Sequence, residues 1–276
     1  MDKHQSVSLF TYILAGIIIC LAMVILAPSQ SPSKERGLLI IELEGVISPA
    51  TAMFLTRGIE EAETGGAEMV VVRLDTPGGL ASSMRTMVKA IMNASIPVIV
   101  YVSPKGAGAA SAGVMVTVAA HVAAMAPSTN IGAAHPVTVG GKDIQKTMSE
   151  KVVNDMASYG RGIAQEKGRN AEWVEKAIRE SVSITADEAV KKNVVDLVAP
   201  DLDELLKGLD GREISLQQGK ATLNTKDLVK KYYKPGFRDK ILKIISDPNI
   251  AYILMMIGLA GLYFELSHPG AIFPGV

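Results

Sequence analysis

The chain has 276 residues, in which 28 basic and 28 acidic side chains cancel and a single cysteine occurs. A length of this order holds one substantial domain plus additions, since single cores are commonly built from about 100–200 residues. Charge balance leaves no net field to draw the chain to nucleic acid, and one cysteine excludes both a disulfide framework and a cysteine-based metal site within one chain.

Taken in chain order, residues 9–27 are almost wholly apolar, follow Lys3 and His4, and give way to Pro28-Ser29-Gln30-Ser31-Pro32-Ser33. This pattern is that of a signal peptide or signal anchor over 1–27, with a linker over 28–36. The run is close to the roughly 20 residues that cross a bilayer, so an uncleaved anchor is feasible. Cys20 is preceded by Ile18-Ile19, where a lipoprotein site needs a small residue, and reads as lipid-facing filler.

Residues 38–43 (LLIIEL), 69–74 (MVVVRL) and 97–102 (PVIVYV) are short runs with apolar side chains on both faces. Such runs suit buried parallel strands. Between them, residues 50–63 and 81–93 have the helical length that a crossover between parallel strands requires. Residues 122–125 and 194–198 extend the expected sheet, and 143–166 reads as one long helix. The fold class is therefore α/β, a layered parallel sheet with helices, over residues 37–205. Residues 206–248 are charged and glycine-containing and read as a linker or small appendage. Its end is crowded with Lys230, Lys231, Lys234, Arg238, Lys240 and Lys243. Residues 250–264 are apolar again, so 249–276 reads as the start of a membrane region that continues.

Two glycine-rich segments fall at the carboxyl ends of expected parallel strands, where ligand sites of α/β sheets lie. The first is Asp75-Thr76-Pro77-Gly78-Gly79-Leu80 and the second is Gly106-Ala107-Gly108-Ala109-Ala110-Ser111-Ala112-Gly113. In the second, Ser111 stands at the start of an apolar helix among small residues that let a polypeptide carbonyl approach. The N–H of Ala112, with that of Gly78 or Gly79, would form an oxyanion hole. Taken alone, the second segment reads more simply as a helix cap with close packing; the Pro-Gly-Gly loop one strand earlier favours the catalytic reading.

These motifs, followed by Met125-Ala126-Pro127-Ser128-Thr129-Asn130-Ile131-Gly132-Ala133-Ala134-His135-Pro136, by Lys151-Val152-Val153-Asn154-Asp155, by Gly168-Arg169-Asn170 and by Ser183-Ile184-Thr185-Ala186-Asp187-Glu188-Ala189, resemble the NfeD proteases. These are the ClpP-class serine proteases also called stomatin operon partner proteins, and the resemblance covers about residues 37–205. It implies a ClpP/crotonase-like fold and a Ser–Lys dyad, with the serine aligned to Ser111 and the lysine to Lys151. It also implies a protein substrate such as a stomatin-like membrane protein. A leader inserted with Lys3 on the cytoplasmic side places the protease domain outside the cytoplasm on a membrane, and a homo-oligomer without a cofactor is expected.

Chemistry agrees that a lysine can serve, because a desolvated ammonium gives up its proton more readily and the neutral amine is a base. Val152, Val153 and Met156 are the expected apolar setting, and Lys105, Lys142 and Lys146 are the competing lysines. His135 is the rival base by analogy with ClpP, but the position of that family's aspartate is held here by Ser181, with Glu180 beside it. His121 reads as structural. The four histidines are scattered, which argues against a metal site. Ala109 breaks a Gly-x-Ser-x-Gly elbow, and no Gly-Lys-Ser/Thr follows the glycine runs. A crotonase-type acyl-CoA enzyme and a non-catalytic membrane scaffold are the alternative functions.

Overall fold

The computed structural model describes residues 36–136, 146–237, 241, 244, 245 and 248–267. The leader over 1–27, the linker up to residue 35 and the segment 137–145 lie outside the described residues.

The main sheet is built from β1 (Gly37–Glu44), β2 (Met69–Asp75), β3 (Val98–Val102), β5 (Val122–Met125), β8 (Leu197–Val198) and β11 (Val229–Tyr232). Its spatial order is β11-β1-β2-β3-β5-β8, and every neighbouring pair is parallel. Alternation along the strands divides their side chains between two cores. Leu39, Ile41, Val70, Val72, Val98 and Val100 face one core. Helices α1 (Pro49–Gly65), α2 (Ala81–Met92), α3 (Ala112–Val118), α4 (Lys146–Glu166) and α5 (Ala171–Arg179) contribute buried residues to that core. Leu38, Ile40, Met69, Val71, Ile99 and Tyr101 face the other, smaller core. The expected strands at 38–43, 69–74, 97–102 and 122–125 and the helices at 50–63 and 81–93 are all present, within two residues at each end.

Local signals account for where the elements begin and end. Ser48 accepts a hydrogen bond from the Thr51 N–H while Thr51 Oγ1 accepts from the Ser48 N–H at 2.8 Å, and Pro49 follows at the first helical position. This reciprocal cap satisfies donors the helix itself leaves open. Gly66 closes α1 in the left-handed region, with φ of 69°.

A second, three-stranded sheet joins β4 (Gly108–Ala110), β6 (Asn130–Gly132) and β7 (Ser183–Thr185), and α6 (Ala186–Lys191) follows. Of the expected strand at 194–198, only Leu197 and Val198 pair; Val194 and Val195 are instead buried in the larger core.

The segment expected as a charged linker or small appendage has regular structure. The helix α7 (Leu202–Leu209) runs into it, and it holds the hairpin β9 (Glu213–Leu216) and β10 (Gly219–Thr222), and β11, which pairs with β1 at the edge of the main sheet. Its charges occupy outer positions, while Leu205, Leu206, Leu209, Ile214 and Leu223 cover the smaller core. Lysines are well tolerated on an edge strand, where they discourage unwanted pairing.

Near the other end, α8 (Pro248–Ser267) is longer than the apolar run suggested. Within residues 249–267 the most apolar stretch has a mean hydropathy of 1.7, and only 6% of it is buried. At 1.5 Å per residue, 19 residues span roughly 28 Å, close to the thickness of a bilayer core. Among the described residues this is the one helix long and apolar enough to cross a membrane.

Arg169 ties the two cores together. Its Nη1 donates to the carbonyls of Val118 (2.8 Å) and Ala120 (2.9 Å) at the end of α3, and its Nη2 to Asp196 at 2.6 Å. Asp196 in turn accepts from the Ala123 N–H and from Arg212. The Arg169 side chain is only 3% exposed, so removing it takes the donor from two carbonyls and one of two arginine partners from Asp196. Arg169→Met should destabilise the chain by about 3–5 kcal/mol, read as a lowered denaturation midpoint in detergent by Trp173 fluorescence. An unchanged midpoint would refute that role.

His121 supplies a pH-dependent term. Its Nδ1 accepts the Val98 N–H at 3.1 Å, so the ring is neutral. Burial first, then Lys167 and Arg169, push its pKa down to about 4. The folded state therefore binds this proton more weakly than the unfolded chain does, and the associated stability, about 3 kcal/mol, is complete above pH ~6.5 and is lost as pH falls toward 4. His121→Gln should flatten the fall in melting temperature between pH 6.5 and 4; an identical slope would show that other groups carry it.

Candidate active site

Strands β2 and β3 are neighbours, so the loops leaving their carboxyl ends meet. Backbone bonds join them: Thr76 N–H donates to Gly108 O at 2.8 Å, and Ala110 N–H to Thr76 O at 3.1 Å. Asp75 Oδ1 accepts from the Gly108 N–H at 2.9 Å. On the other side, Ile47 N–H donates to Gly78 O and Leu80 N–H to Ile47 O, which fixes the Pro-Gly-Gly turn against the chain leaving β1. A Cβ on Gly79 would lie 2.1 Å from Ile47 O, and one on Gly78 would lie 2.5 Å from Ser111 Cβ. Both residues also have positive φ, 107° and 154°. Glycine is required at both positions by close approach as well as by conformation.

Ser111 follows β4 and immediately precedes α3. Its φ of 54° and ψ of −117° are costly for a residue with a Cβ, of order 1–3 kcal/mol. Its N–H donates to Gly132 O at 2.9 Å, which holds it in place. Its side chain makes no capping bond, so Ser111 does not serve as a helix cap. Gly113, the second residue of α3, packs where an added Cβ would be 2.6 Å from Thr76 Cγ2.

The expected amide donors divide. Gly78 N–H is taken by Thr76 Oγ1 at 3.0 Å. Those of Gly79 and Ala112 have no acceptor among the described residues. Beside Ser111 lies a cavity of about 140 Å³, walled by Leu80, Met84, Met115, Ala134, Pro136 and Met156. A larger cavity of about 450 Å³ lies at the ends of β1 and β11, away from Ser111.

Lys151 is exposed on α4. Met156 is buried beside the cavity, but Val152 is exposed and Val153 only half-buried, so the apolar setting expected around Lys151 is incomplete. No hydrogen bond or ion pair among the described residues joins Lys151 to Ser111. Lys105 is exposed in the loop before β4, and Lys142 lies outside the described residues.

His135 Nδ1 is 3.0 Å from Ile178 O. A carbonyl only accepts, so this contact puts a ring N–H on Nδ1, and in the neutral ring Nε2 is then the accepting nitrogen. Its orienting group is thus a backbone carbonyl of α5. Glu180 caps the end of α5 rather than lying on a strand, and Ser181 follows with φ of 58°. His121 sits at the opposite end of β3 from Ser111.

Sequence reasoning did not single out Thr76, which occupies one glycine amide, or the methionine-lined cavity. Met84, Met115 and Met156 belong to three different helices, and no local spacing groups them.

Residues 38–218 match the NfeD1b N-terminal domain and residues 249–276 the NfeD integral membrane domain. The membrane-bound protease PH1510 of Pyrococcus horikoshii is 38% identical over 258 residues, which are 91% of this chain and 58% of that protein. The chain thus spans little more than half the length of that relative. The solved structure of the 1510-N membrane-bound stomatin-specific protease, as a lysine-to-alanine variant with a substrate peptide, is 36% identical, with a TM-score of 0.71 over 77% of this chain and 99% of that one. ClpP1 from Listeria monocytogenes is 19% identical with a TM-score of 0.50 over 60% of this chain and 94% of that one, a likeness of fold alone. The parallel sheet, the loops meeting at Ser111 and the apolar helix α8 are therefore those of a ClpP-like domain and a membrane segment, and the chain belongs to the NfeD family.

Proposed function

We propose that the chain is a membrane-anchored, extracytoplasmic serine endopeptidase that cuts apolar segments of membrane-associated proteins, such as a stomatin homologue. The observation that carries this reading is Ser111, held in a strained backbone conformation with an uncapped hydroxyl against a glycine pair. Neither helix capping nor packing accounts for that strain, which fits a nucleophile held for attack. The relative described as a stomatin-specific protease adds support, as do its solved lysine-to-alanine and serine-to-alanine variants.

In this mechanism Ser111 Oγ attacks the scissile carbonyl carbon while its proton passes to the base. The carbonyl oxygen becomes an oxyanion, which the Gly79 and Ala112 N–H groups stabilise. Collapse expels the amine, which takes the proton, and leaves an acyl-serine. Water then attacks the ester carbonyl carbon while the base takes its proton; collapse breaks the bond to Ser111 Oγ, which receives that proton, and frees the second product as a carboxylic acid.

Lys151 is the proposed base. An exposed lysine needs desolvation to act as a base, and in this reading substrate supplies it along α4. Met148, Val152 and Met156 recur every four residues, so they form a stripe from exposed surface to the cavity wall. An apolar substrate segment lying on this stripe would draw the start of α4 toward Ser111 and strip water from Lys151. Desolvation favours the neutral amine. The catalytic site is completed by the substrate in this account. His135 gives a second reading, favoured by the bond to Ile178, which orients the ring so that Nε2 is the accepting nitrogen of its neutral form.

Kinetics on the full chain in nanodiscs, with an apolar peptide, test these assignments. Ser111→Ala should retain the fold and lose activity by more than about a thousandfold. Lys151→Ala and Lys151→Arg should both be inactive, since a guanidinium stays charged, while His135→Ala keeps most of kcat. An inactive His135→Ala beside an active Lys151→Ala would replace the lysine by the histidine.

The cavity makes a separate prediction. Its three methionines suit a medium-sized apolar side chain, because the thioether chain adapts its shape. Met84→Ala should raise kcat/KM for phenylalanine relative to valine at the cleaved position, by roughly tenfold or more. An unchanged ratio would place the specificity elsewhere.

A further inference from the structure

Lys151 makes no hydrogen bond or ion pair among the described residues, and two arginines of neighbouring helices bear on why. On α4 the residues three and four positions from it are Thr147, Met148, Asn154 and Asp155, which are its neighbours along the helix surface. Asp155 is the one carboxylate among these four, and Asn154 the one amide. Both are engaged elsewhere. Arg179 of α5 donates from Nη1 to Asn154 Oδ1 at 2.8 Å. Arg85 of α2 donates from Nη2 to Asp155 Oδ2 at 2.5 Å.

Arg85 is itself restrained. Its guanidinium carbon lies 4.2 Å from the centre of the half-buried Tyr159 ring, one turn beyond Asp155, so two residues of one face of α4 hold it. It follows Met84, which walls the cavity beside Ser111. The ion pair is open to water, with the Asp155 side chain 69% exposed. Such a pair adds little to stability, so stabilisation alone explains it poorly. Its place explains more: a free carboxylate one turn from a lysine pairs with the ammonium and opposes loss of its proton.

We infer that Arg85 is a positioning residue: by engaging Asp155 it keeps that carboxylate from pairing with Lys151, and so leaves Lys151 free to take the Ser111 proton. The catalytic half of this rests on Lys151 being the proposed base; the exchange of ion-pair partners does not. Removing the guanidinium releases Asp155 to Lys151, and removing both Arg85 and the carboxylate leaves Lys151 unpaired again.

Arg85→Met and the double variant Arg85→Met/Asp155→Asn, as the full chain in nanodiscs, test both halves. Reductive methylation of Lys151, followed by mass spectrometry and referred to the exposed Lys105, reports pairing. Its rate should fall about twofold in Arg85→Met and return to the parent rate in the double variant. A rate that Arg85→Met leaves unchanged would overturn the inference. Kinetics with an apolar peptide report the consequence. Arg85→Met should lower kcat by roughly tenfold while KM stays within about twofold, and adding Asp155→Asn should restore kcat. A double variant as slow as Arg85→Met would mean that Arg85 only props α4, which also overturns the inference. Trp173 emission checks the fold of each variant, and Arg85→Gln replaces Arg85→Met if the latter does not fold. Lys151→Ala tells the two failures apart. If it is active while the methylation rates change as stated, the base assignment falls, and the catalytic half of the inference with it, while the partner exchange stands.

Discussion

Gly78 and Ser111 approach so closely that no side chain fits between them. A Cβ on residue 78 would stand 2.5 Å from Ser111 Cβ and 3.0 Å from its Oγ. That contact requires β2 and β3 to be neighbours with their carboxyl ends level. It also requires Thr76 and Gly108 to be knitted by backbone bonds, and Ile47 to press on Gly79 from the other side. The parallel sheet therefore acts as a jig for one meeting of loops. Its buried strands, apolar on both faces, give the jig its rigidity.

The short helix after Ser111 is held at both ends by groups far away in sequence. At the start, Gly132 O accepts the Ser111 N–H; at the end, Arg169 gathers the carbonyls of Val118 and Ala120. Arg169 is itself fixed by Asp196, which a second arginine from the C-terminal subdomain also contacts. The strain at Ser111 is thus opposed by a network reaching both cores, as strained functional residues require. By contrast, the α4 end bearing Lys151 is exposed and offers apolar residues to solvent. On the proposed reading, a rigidly held Ser111 and a Lys151 that arrives with substrate would limit reaction with unintended proteins.

Much of this was legible in the sequence because its causes are local. Runs such as MVVVRL and PVIVYV are apolar on both faces only if both faces are covered, and the glycine pair declares a turn that excludes side chains. Non-local causes were not legible. Strand β11, VKKY, has no apolar alternation of its own and becomes a strand because β1 has an open edge. The hairpin and the end of α7 read as a charged linker or small appendage because their few apolar residues, Leu209 and Ile214 among them, were outnumbered by charges that face water. Loss of the Gly78 N–H to Thr76 depends on a side-chain rotamer, and the exposure of Lys151 on how α4 packs. The methionine cavity gathers three helices, which no spacing rule connects.

The central claim is that the Ser111 hydroxyl is the reactive group and that an apolar segment occupies the cavity beside it. Treatment of the full chain in nanodiscs with a fluorophosphonate, followed by mass spectrometry of the labelled peptide, tests it most directly. The account predicts a single adduct on Ser111 whose formation is slowed by an apolar peptide. Peptide cleavage that persists with Ser111 unlabelled, or an adduct on a different residue, would contradict it.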